Sequence, residues 1–288
     1  MNIAVTGASG FIGSELLSEL ASREGITIAA LSRTARKNTD VTEWYATDYS
    51  RESLIGILAD CDVVIHLAGV RGTTDNPGDY ADNERITANL LDAMTEVGYR
   101  RIVFASTISV YNDVETIPWT EDSPLEPRTM YGASKIACEE MIRKYAERGI
   151  DYSILRIAQV LGAGEKRRGM MNVFLDTAAA GGEIKVMGRS EAKRQYIYVK
   201  DLVKVMASLA GLPEGESVTV NVGMPDAYTN LEIAEIINKV YGNRTPVNYD
   251  DSVPETIKSS CMDISFLRDV IGYTPMTMEE AVSAYASL

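Results

Sequence analysis

The stretch VTGASGFIG, residues 5–13, places glycines at positions 7, 10 and 13 directly after a short apolar run. This pattern predicts a strand, a tight turn and a helix. Gly7 permits the turn, Gly10 lets the backbone approach a pyrophosphate, and Gly13 allows close packing of helix on strand. Phosphates would lie at the helix N-terminus, where unpaired N–H groups favour negative charge. A turn that merely needs glycine explains one or two of these residues, whereas three at this spacing favour dinucleotide binding.

Apolar runs alternate with amphipathic stretches through the first 160 residues. Five runs rich in Val and Ile predict buried strands, at 2–7, 26–31, 62–69, 101–106 and 152–160. Four stretches with apolar residues at helical spacing predict helices, at 13–23, 48–60, 83–98 and 134–149. Strand and helix in alternation imply a parallel sheet covered on both faces, so the predicted fold is α/β, a Rossmann doubly wound parallel sheet.

The pattern changes after residue 161. The stretch 162–169 is rich in glycine and charge and predicts a loop. Further elements follow it in the order helix 171–182, strand 194–199, helix 201–211, strand 217–223 and helix 229–242. We therefore predict a dinucleotide-binding domain over residues 1–165. Residues 166–288 are predicted to form a smaller, mainly substrate-binding α/β region, with about 195–223 returning to the first sheet.

Composition and charge argue against several classes of function. The 288 residues carry a net charge of −13, which would repel a phosphate backbone, so we expect no nucleic-acid partner. No apolar run approaches the ~20 residues of a membrane span, so we expect no membrane association. The first ten residues enter a strand pattern without a basic leader, which predicts no signal peptide and a cytoplasmic protein. Cys61, Cys138 and Cys261 lack close spacing, as is typical of reduced thiols.

The single histidine, His66, lies inside the apolar run 62–69. A zinc site or a Ser-His-Asp triad would have to be built around it, and no Cys or His stands at ligand spacing. The simpler interpretation is a histidine at the inner end of a buried strand. We accordingly predict no metal site.

The stretch YGASK places Tyr131 four positions before Lys135 on a predicted helix. That spacing rises about 6 Å and puts both side chains on one face. A lysine ammonium beside the phenol would lower the tyrosine pKa from ~10 toward working pH, as a general acid–base needs. Tyr196 and Lys200 repeat the spacing, but they straddle the end of a predicted strand and, if extended, would lie about 13 Å apart. The alternative for Tyr131 is a half-exposed helix tyrosine.

The second predicted strand ends in ALSRTARKN, residues 30–38, with Ser32, Arg33, Arg36 and Lys37 and no acid before Asp40. An acidic residue here would accept the ribose hydroxyls of NAD, whereas an arginine suits the phosphate of NADP. A solvated basic loop explains the same residues equally well. We expect NAD or NADP as cofactor. Arg33 leaves the choice open, with a slight lean to NADP from the local chemistry.

Several of these stretches, together with others along nearly the whole chain, resemble the extended short-chain dehydrogenase/reductase family, in particular its sugar-nucleotide epimerase and dehydratase branch. The matching stretches are TGASGFIG (6–13), DVVIHLAG (62–69), NERITANLLDA (83–93), FASTISVY (104–111), YGASK (131–135), LRIAQVLG (155–162), RQYIYVKD (194–201), VNVG (220–223) and TNLEIAEII (229–237).

The resemblance implies roles for particular residues. Tyr131 would be the catalytic acid–base, Lys135 would bind the nicotinamide ribose, and Thr107 would be the hydroxyl residue of the catalytic triad. Asp48 would contact the adenine, and residues 66–69 with Arg71 would contact the cofactor and its phosphates. The cofactor-binding set is then Gly7, Ser9, Gly10, Phe11, Ile12, Gly13, Arg33, Asp48, Tyr49, Leu67, Ala68, Gly69, Arg71, Ser106, Tyr131 and Lys135. The substrate-binding set is Thr107, Ser109, Tyr131, Gln159, Asn172 and Arg194.

Two departures from the family pattern bear on the reaction. Gln159 stands where the family usually has asparagine, which puts the substrate phosphate contact there in question. Ile108 and Ser109 follow Thr107, where the 4,6-dehydratases usually carry an acidic pair to expel water, so dehydration is disfavoured.

The leading hypothesis is a nucleotide-sugar 4-epimerase that acts on a UDP-sugar such as UDP-N-acetylglucosamine or UDP-glucose with a bound nicotinamide cofactor. One alternative is an NADP-dependent reductase of a carbonyl or nucleotide sugar. Another is a dinucleotide-sensing binding protein without turnover, which would need the glycine loop but not Tyr131 and Lys135. We also expect a homodimer, paired through helices such as 84–97 and 135–148 as the family often is.

Overall fold

The computed structural model describes residues 1–34, 36–98, 101–165, 169–255 and 258–288. Within these residues the chain forms twelve strands: β1 (Asn2–Thr6), β2 (Thr27–Ser32), β3 (Thr42–Ala46), β4 (Val63–His66), β5 (Arg101–Ala105), β6 (Asp151–Ile157), β7 (Gln159–Leu161), β8 (Lys185–Met187), β9 (Arg194–Tyr198), β10 (Val218–Val222), β11 (Ala227–Tyr228) and β12 (Asn248–Asp250). The same residues form nine α-helices: α1 (Phe11–Ala21), α2 (Arg51–Leu58), α3 (Ala81–Val97), α4 (Met130–Ala146), α5 (Met170–Ala179), α6 (Val199–Ala210), α7 (Asn230–Tyr241), α8 (Ser265–Ile271) and α9 (Met278–Ala286).

Seven strands form one parallel sheet in the order β10-β6-β5-β4-β1-β2-β3. The strand order reverses between β1 and β4, because β1 pairs with β2 on one side and with β4 on the other. In doubly wound sheets, ligands bind in the crevice beyond the carboxyl ends of the strands at such a reversal. The predicted fold class is therefore confirmed, and the sheet indicates where to look for a site.

Helices cover both faces of this sheet because the strand side chains alternate. Ile3 and Val5 of β1 pack with α1 and α6 on one face, whereas Ala4 packs with α2, α3 and α4 on the other. All three side chains are fully buried. Burial of an aliphatic side chain stabilises a fold by roughly 1.5–3 kcal/mol, so the two apolar layers hold the strand ends in place.

Two details of the sheet differ from the sequence prediction. Strand β3 was not predicted, because this edge strand is about half exposed and contains no apolar run. The single strand predicted at 152–160 is wrong. It is two strands in different sheets, separated at Ala158, whose N–H donates to the Val222 carbonyl at the edge strand β10.

The C-terminal elements form a second layer beside the large sheet. Strands β11, β9 and β7 make a three-stranded sheet, and β12 pairs with β8. Helices α5, α7 and α9 cover a core that includes Phe174, Tyr198 and Ile233. Of the segment expected to return to the first sheet, β10 pairs with β6 and α6 packs on that sheet, but β9 lies in the three-stranded sheet.

Some sequence predictions stay predictions. These are the domain boundary at residue 165 and the homodimer. Part of the predicted loop 162–169, residues 166–168, lies outside the described residues. In the described part of the chain, no helix is long and apolar enough to cross a membrane.

Candidate active site

The glycine loop lies at the carboxyl end of β1, at the strand-order reversal. Gly7 has φ +66°, and a Cβ there would lie 2.8 Å from the backbone nitrogen of Ala68. A Cβ on Gly13 would lie 2.4 Å from the Gly7 carbonyl oxygen. Gly10 is exposed at the start of α1, and among the described residues no side chain caps that helix. The loop therefore leaves the α1 N-terminus open to a ligand, as the sequence predicted.

Tyr49 contacts the glycine loop through its side-chain hydroxyl. It adopts φ +61° between β3 and α2, and its side chain is buried. The Gly7 N–H donates to the Tyr49 hydroxyl oxygen (3.2 Å), and that hydroxyl donates to the Leu31 carbonyl (3.2 Å). The Tyr49 hydroxyl contacts the backbone of β2 and of the glycine loop, and its expected role in cofactor binding stays a prediction.

His66 joins β1, β4 and α3 through hydrogen bonds. The Thr6 hydroxyl accepts from the N–H groups of Leu67 (3.1 Å) and Ala68 (3.0 Å), so it donates its own proton to Nδ1 of His66 (2.7 Å). The imidazole is therefore neutral and donates from Nε2 to Thr87 (3.1 Å). Burial lowers the pKa of His66 to about 3. The expectation of a histidine at the end of a buried strand is confirmed.

The turn that follows β4 is held by Asn83, a residue that the sequence analysis did not single out. Its Oδ1 accepts from the Val70 N–H (2.6 Å), and its Nδ2 donates to the Val70 carbonyl and to Ser134 Oγ, both at 3.0 Å. Asn83 thereby connects the turn 67–71 to α4 directly beside Lys135. A polar residue at a buried position of a helix was the available signal.

Tyr131 and Lys135 lie on α4, one turn apart, as predicted. Thr107 lies close enough to the Tyr131 phenol to lower its pKa, and the Tyr131 ring lies 6.0 Å from that of Tyr80 between centroids. Burial raises the pKa of Tyr131 to about 12, and the charge of Arg71 and the Thr107 hydrogen bond oppose this rise. Tyr131 is partly exposed on α4, and its role as the acid–base stays a prediction.

The positive charge that lowers the pKa of Tyr131 is that of Arg71, and the Lys135 ammonium has partners of its own. Its Nζ donates to the Ala105 carbonyl (2.8 Å) and lies 4.5 Å from the centre of the Phe104 ring. The ammonium is buried, which lowers the pKa of Lys135 itself. The cost of burying a phenolate outweighs other effects on Tyr131. The second Tyr-Lys match is unrelated to this site, because Tyr196 is buried in β9 and Lys200 is exposed on α6.

The other predicted cofactor residues are distributed around the crevice. Ser9, Phe11 and Ile12 belong to the glycine loop and the first turn of α1. Asp48 is exposed before α2, where its carboxylate accepts from the Ser50 N–H (2.9 Å) and has a lowered pKa because of that bond. Arg71 forms an ion pair with Glu165 (2.9 Å).

The basic loop after β2 is solvent-exposed. The Arg33 side chain is 73% exposed and approaches Asp82 only at 3.4 Å. The Arg36 guanidinium lies 5.0 Å from the centre of the Trp44 ring. Arg33 is therefore free to change partner, whereas Arg36 is held against β3.

The predicted substrate residues lie on several elements of the fold, and their role stays a prediction. Ser109 follows Thr107, whose hydroxyl accepts from the Ser109 N–H (3.2 Å). Gln159 and Arg194 lie on the paired strands β7 and β9. Asn172 caps the start of α5, because its Oδ1 accepts a hydrogen bond from the Gly169 N–H (3.2 Å).

A cavity of about 760 Å³ opens beside this region. Its lining includes Val114 and Ile117 from the loop after β5, and Arg189 and Lys258 from the C-terminal region. Ser260, one residue beyond this lining, pairs with Arg194. In the described part of the chain, no cluster of three or more His, Cys, Asp or Glu residues is arranged to hold a metal ion.

The sequence pattern of the NAD dependent epimerase/dehydratase family matches residues 3–223 of this chain. This match covers the large sheet and the crevice just described. The chain belongs to that family.

The family assignment agrees with individual relatives. The chain is 35% identical to a UDP-N-acetylglucosamine 4-epimerase from Bacillus cereus of known structure, with a TM-score of 0.89 over 99% of this chain and 95% of that one. It is 28% identical to a UDP-glucose 4-epimerase from Mycolicibacterium smegmatis, over 96% of this chain and 94% of the relative. It is also 28% identical to a dTDP-4-dehydro-6-deoxyglucose reductase from Escherichia coli, over 95% and 92%.

The crevice fits the nicotinamide dinucleotide for which this family is named. The open N-terminus of α1 and the exposed Gly10 fit a pyrophosphate, which a helix N-terminus attracts. The buried Lys135 ammonium has a carbonyl partner in Ala105 and retains donors for ribose hydroxyls. The protein is thus an enzyme of the NAD dependent epimerase/dehydratase family, similar to nucleotide-sugar 4-epimerases.

Proposed function

We propose that this protein is a nucleotide-sugar 4-epimerase that acts on UDP-sugars. The observation that carries the proposal is the placement of Tyr131 and Lys135 one turn apart on α4, with Thr107 acting on the Tyr131 phenol, close to the open glycine loop. The two residues after Thr107 are Ile108 and Ser109, so the site lacks the acidic pair that dehydration would use. The set of side chains can move a proton at a sugar hydroxyl but has no carboxylate there to expel water.

Tyr131 is the proton-transfer residue in this proposal. NAD, when bound along the glycine loop, supplies reversible hydride acceptance at the sugar C4. Tyr131 takes the proton of the 4-hydroxyl as that carbon is oxidised and returns it to the same oxygen at the end of the cycle. Thr107 lies beside the phenol and lowers its pKa. Arg71 favours the phenolate through its charge. Lys135, anchored on Ala105, binds the ribose and stays protonated beside it.

The substrate's nucleotide would lie in the cavity bordered by Arg189 and Lys258. These two cations would pair with a diphosphate in a lining that also contains Glu191, Asp251 and Glu255. Arg194 lies on β9 beside Ser260. Similarity to UDP-N-acetylglucosamine and UDP-glucose 4-epimerases supports a UDP-sugar.

A reductase is the second candidate. The exposed Arg33 could pair with the ribose phosphate of NADP, and one relative is named as a dTDP-4-dehydro-6-deoxyglucose reductase. A reductase consumes one reduced cofactor per product, whereas an epimerase returns the hydride that it removed. A dinucleotide-sensing protein without turnover would not need the Tyr131–Thr107 pair.

Stoichiometry separates the two candidates. Purified protein is incubated with UDP-N-acetylglucosamine or UDP-glucose and only a trace of oxidised cofactor, and the sugar products are separated by chromatography. We expect many turnovers to the 4-epimer without net absorbance of reduced nicotinamide, and no conversion by Tyr131→Phe. Product that tracks consumption of reduced cofactor one for one, with no epimer from any UDP-, GDP- or dTDP-sugar, would replace the epimerase by the reductase. Mass spectrometry of nucleotides released on denaturation identifies the bound cofactor.

A further inference from the structure

Glu139 is a fully buried carboxylate on α4, one turn after Lys135 and on the same face of the helix. Its oxygens accept hydrogen bonds from Ser106 Oγ (2.5 Å) and from Arg156 Nη2 (2.9 Å). Arg143 Nη2 also donates to it (2.9 Å). A buried charge is retained only with such partners, because it would otherwise be expensive to remove from water.

Arg156 connects the Glu139 carboxylate to Tyr111, which follows Ser106 by five residues in the chain. It is buried on β6, and its Nη1 donates to the Tyr111 hydroxyl (2.7 Å). That hydroxyl in turn donates to Oδ1 of Asn221 on β10 (2.9 Å). The Glu139–Arg156 pair therefore holds both ends of the segment 106–111.

Thr107 lies inside this segment, between the two points of attachment. Helix α4 contacts the end of β5 at two successive residues, through Lys135 at the Ala105 carbonyl and through Glu139 at the Ser106 hydroxyl. Tyr131 precedes Lys135 by one turn of the same helix. The position of Thr107 relative to Tyr131 is thus set in part by contacts that neither residue makes itself.

We propose that Glu139 and Arg156 are positioning residues that hold Thr107 against Tyr131, an inference that rests on the proposed function. Neither residue touches the substrate or the reacting atoms. They act through Ser106 and Tyr111, and their loss displaces the acid–base pair without removing either member of it.

The double variant Glu139→Leu/Arg156→Met tests this proposal. Apolar residues of similar size can replace a buried ion pair without loss of stability, so folding is expected to survive. We expect kcat to fall about 10- to 100-fold, because displacement of a catalytic group by about 1 Å costs up to 100-fold. KM for the UDP-sugar and Kd for NAD should stay within about threefold, since the binding residues are unchanged.

A matched control lies at the opposite end of the same two strands. Arg101 on β5 pairs with Asp151 on β6 (3.3 Å) and donates to the carbonyls of Pro213 and Glu216. Arg101→Met/Asp151→Asn removes a comparable pair far from Thr107. This control is expected to change melting temperature but leave kcat unaltered.

Hydrogen–deuterium exchange without substrate gives a second measurement. In Glu139→Leu/Arg156→Met, amides 106–111 should exchange faster than in the wild type, whereas in the control only amides around 213–216 should do so. If the double variant does not fold, Tyr111→Phe decides, with faster exchange at 109–111 and a severalfold loss in kcat expected.

Unchanged exchange at 106–111 with kcat within twofold of the wild type would overturn the proposal. Equal losses of kcat in both double variants would do the same, because they would indicate a structural role alone. Absence of epimerase activity in the wild type would instead overturn the proposed function. The exchange experiment would then still decide whether the pair anchors 106–111.

Discussion

A Cβ atom placed on Gly132 would lie 2.3 Å from the carbonyl oxygen of Ser109. Helix α4 therefore passes against the segment that carries Thr107 at a distance that only glycine allows. This contact follows Tyr131 by one residue in the chain. Together with the Thr129 side chain, which accepts from the Gly132 N–H (3.1 Å), it fixes the first turn of the helix.

Gly132→Ala should accordingly separate Tyr131 from Thr107. The backbone oxygen cannot move away as a flexible side chain could, so we expect an overpacking cost of roughly 1–3 kcal/mol in the free energy of unfolding. We also expect a loss of about 100-fold in kcat, the scale for a catalytic group displaced by ~1 Å. Gly56→Ala in α2 is the control, because a Cβ there meets no atom within 4 Å. Equal activity of both variants would contradict this view of the contact.

Tyr131→Phe should abolish proton transfer while folding and NAD binding are retained. The expected loss in kcat is at least ~100-fold, the lower scale of general acid–base catalysis. The measurement is steady-state kinetics with a UDP-sugar, accompanied by a cofactor titration. Tyr196→Phe, which alters the unrelated Tyr-Lys match, is the control and should stay active. Near-normal turnover in Tyr131→Phe would exclude Tyr131 as the base.

The pH dependence of the rate should report on Tyr131. Its pKa is raised to about 12 by burial, so the phenol is protonated at neutral pH and the rate should increase as pH rises toward the pKa of the complex. The Thr107 hydrogen bond lowers this pKa, and Thr107→Val should therefore move the acid limb of the profile to higher pH. Thr116→Val, at an exposed threonine, is the control. An unshifted limb in Thr107→Val would show that the hydrogen bond does not tune the base.

Arg33→Ala tests which cofactor the basic loop favours. If the exposed Arg33 pairs with a ribose phosphate, the variant should weaken NADP binding about 10-fold or more and leave NAD binding nearly unchanged, because only NADP loses a charge-assisted contact. Arg36→Ala, in the same loop but stacked on Trp44, is the matched control. Dissociation constants from fluorescence titration decide the question. Equal effects on both cofactors would show that Arg33 is a solvated loop residue.

His66 should make stability depend on pH between about 6.5 and 5.5. Its pKa falls from 6.5 to about 3 on folding, so the unfolded chain binds an extra proton in this window and stability is lost as pH falls. The expected loss is about 1 kcal/mol over that unit of pH. Urea unfolding at several pH values measures it.

The His66→Gln variant removes this titration, and no other histidine is present. Burial raises the pKa of Glu121, which acts in the opposite direction, so the difference in slope between wild type and variant is the relevant quantity. Identical slopes would mean that His66 is not held neutral by the fold.

The fold class and the centre of the site were predictable because their signals are local. Gly7, Gly10 and Gly13 stand within one turn and one helix start, and the spacing of Tyr131 and Lys135 is that of one helical turn. Strands buried on both faces have continuous apolar runs, which do not depend on where the strand ends up in the sheet.

Tertiary structure alone decided the features that depend on distant partners. Strand β3 is half exposed, and it forms because its backbone pairs with β2 at the edge of the sheet. The run 152–160 is mostly apolar, and its division into β6 and β7 follows from the pairing of β6 with β10 and of β7 with β9.

In the site, too, some features are set by the local sequence and others by residues distant in the chain. The sequence by itself determined that Tyr131, Lys135 and Thr107 are present and that Tyr131 and Lys135 share a helix face. Only the tertiary structure decided that Lys135 is directed to Ala105 and that Glu139 and Arg156 anchor the segment around Thr107. Burial and pairing are set by residues far apart in the chain, and a pKa such as that of Tyr131 depends on both.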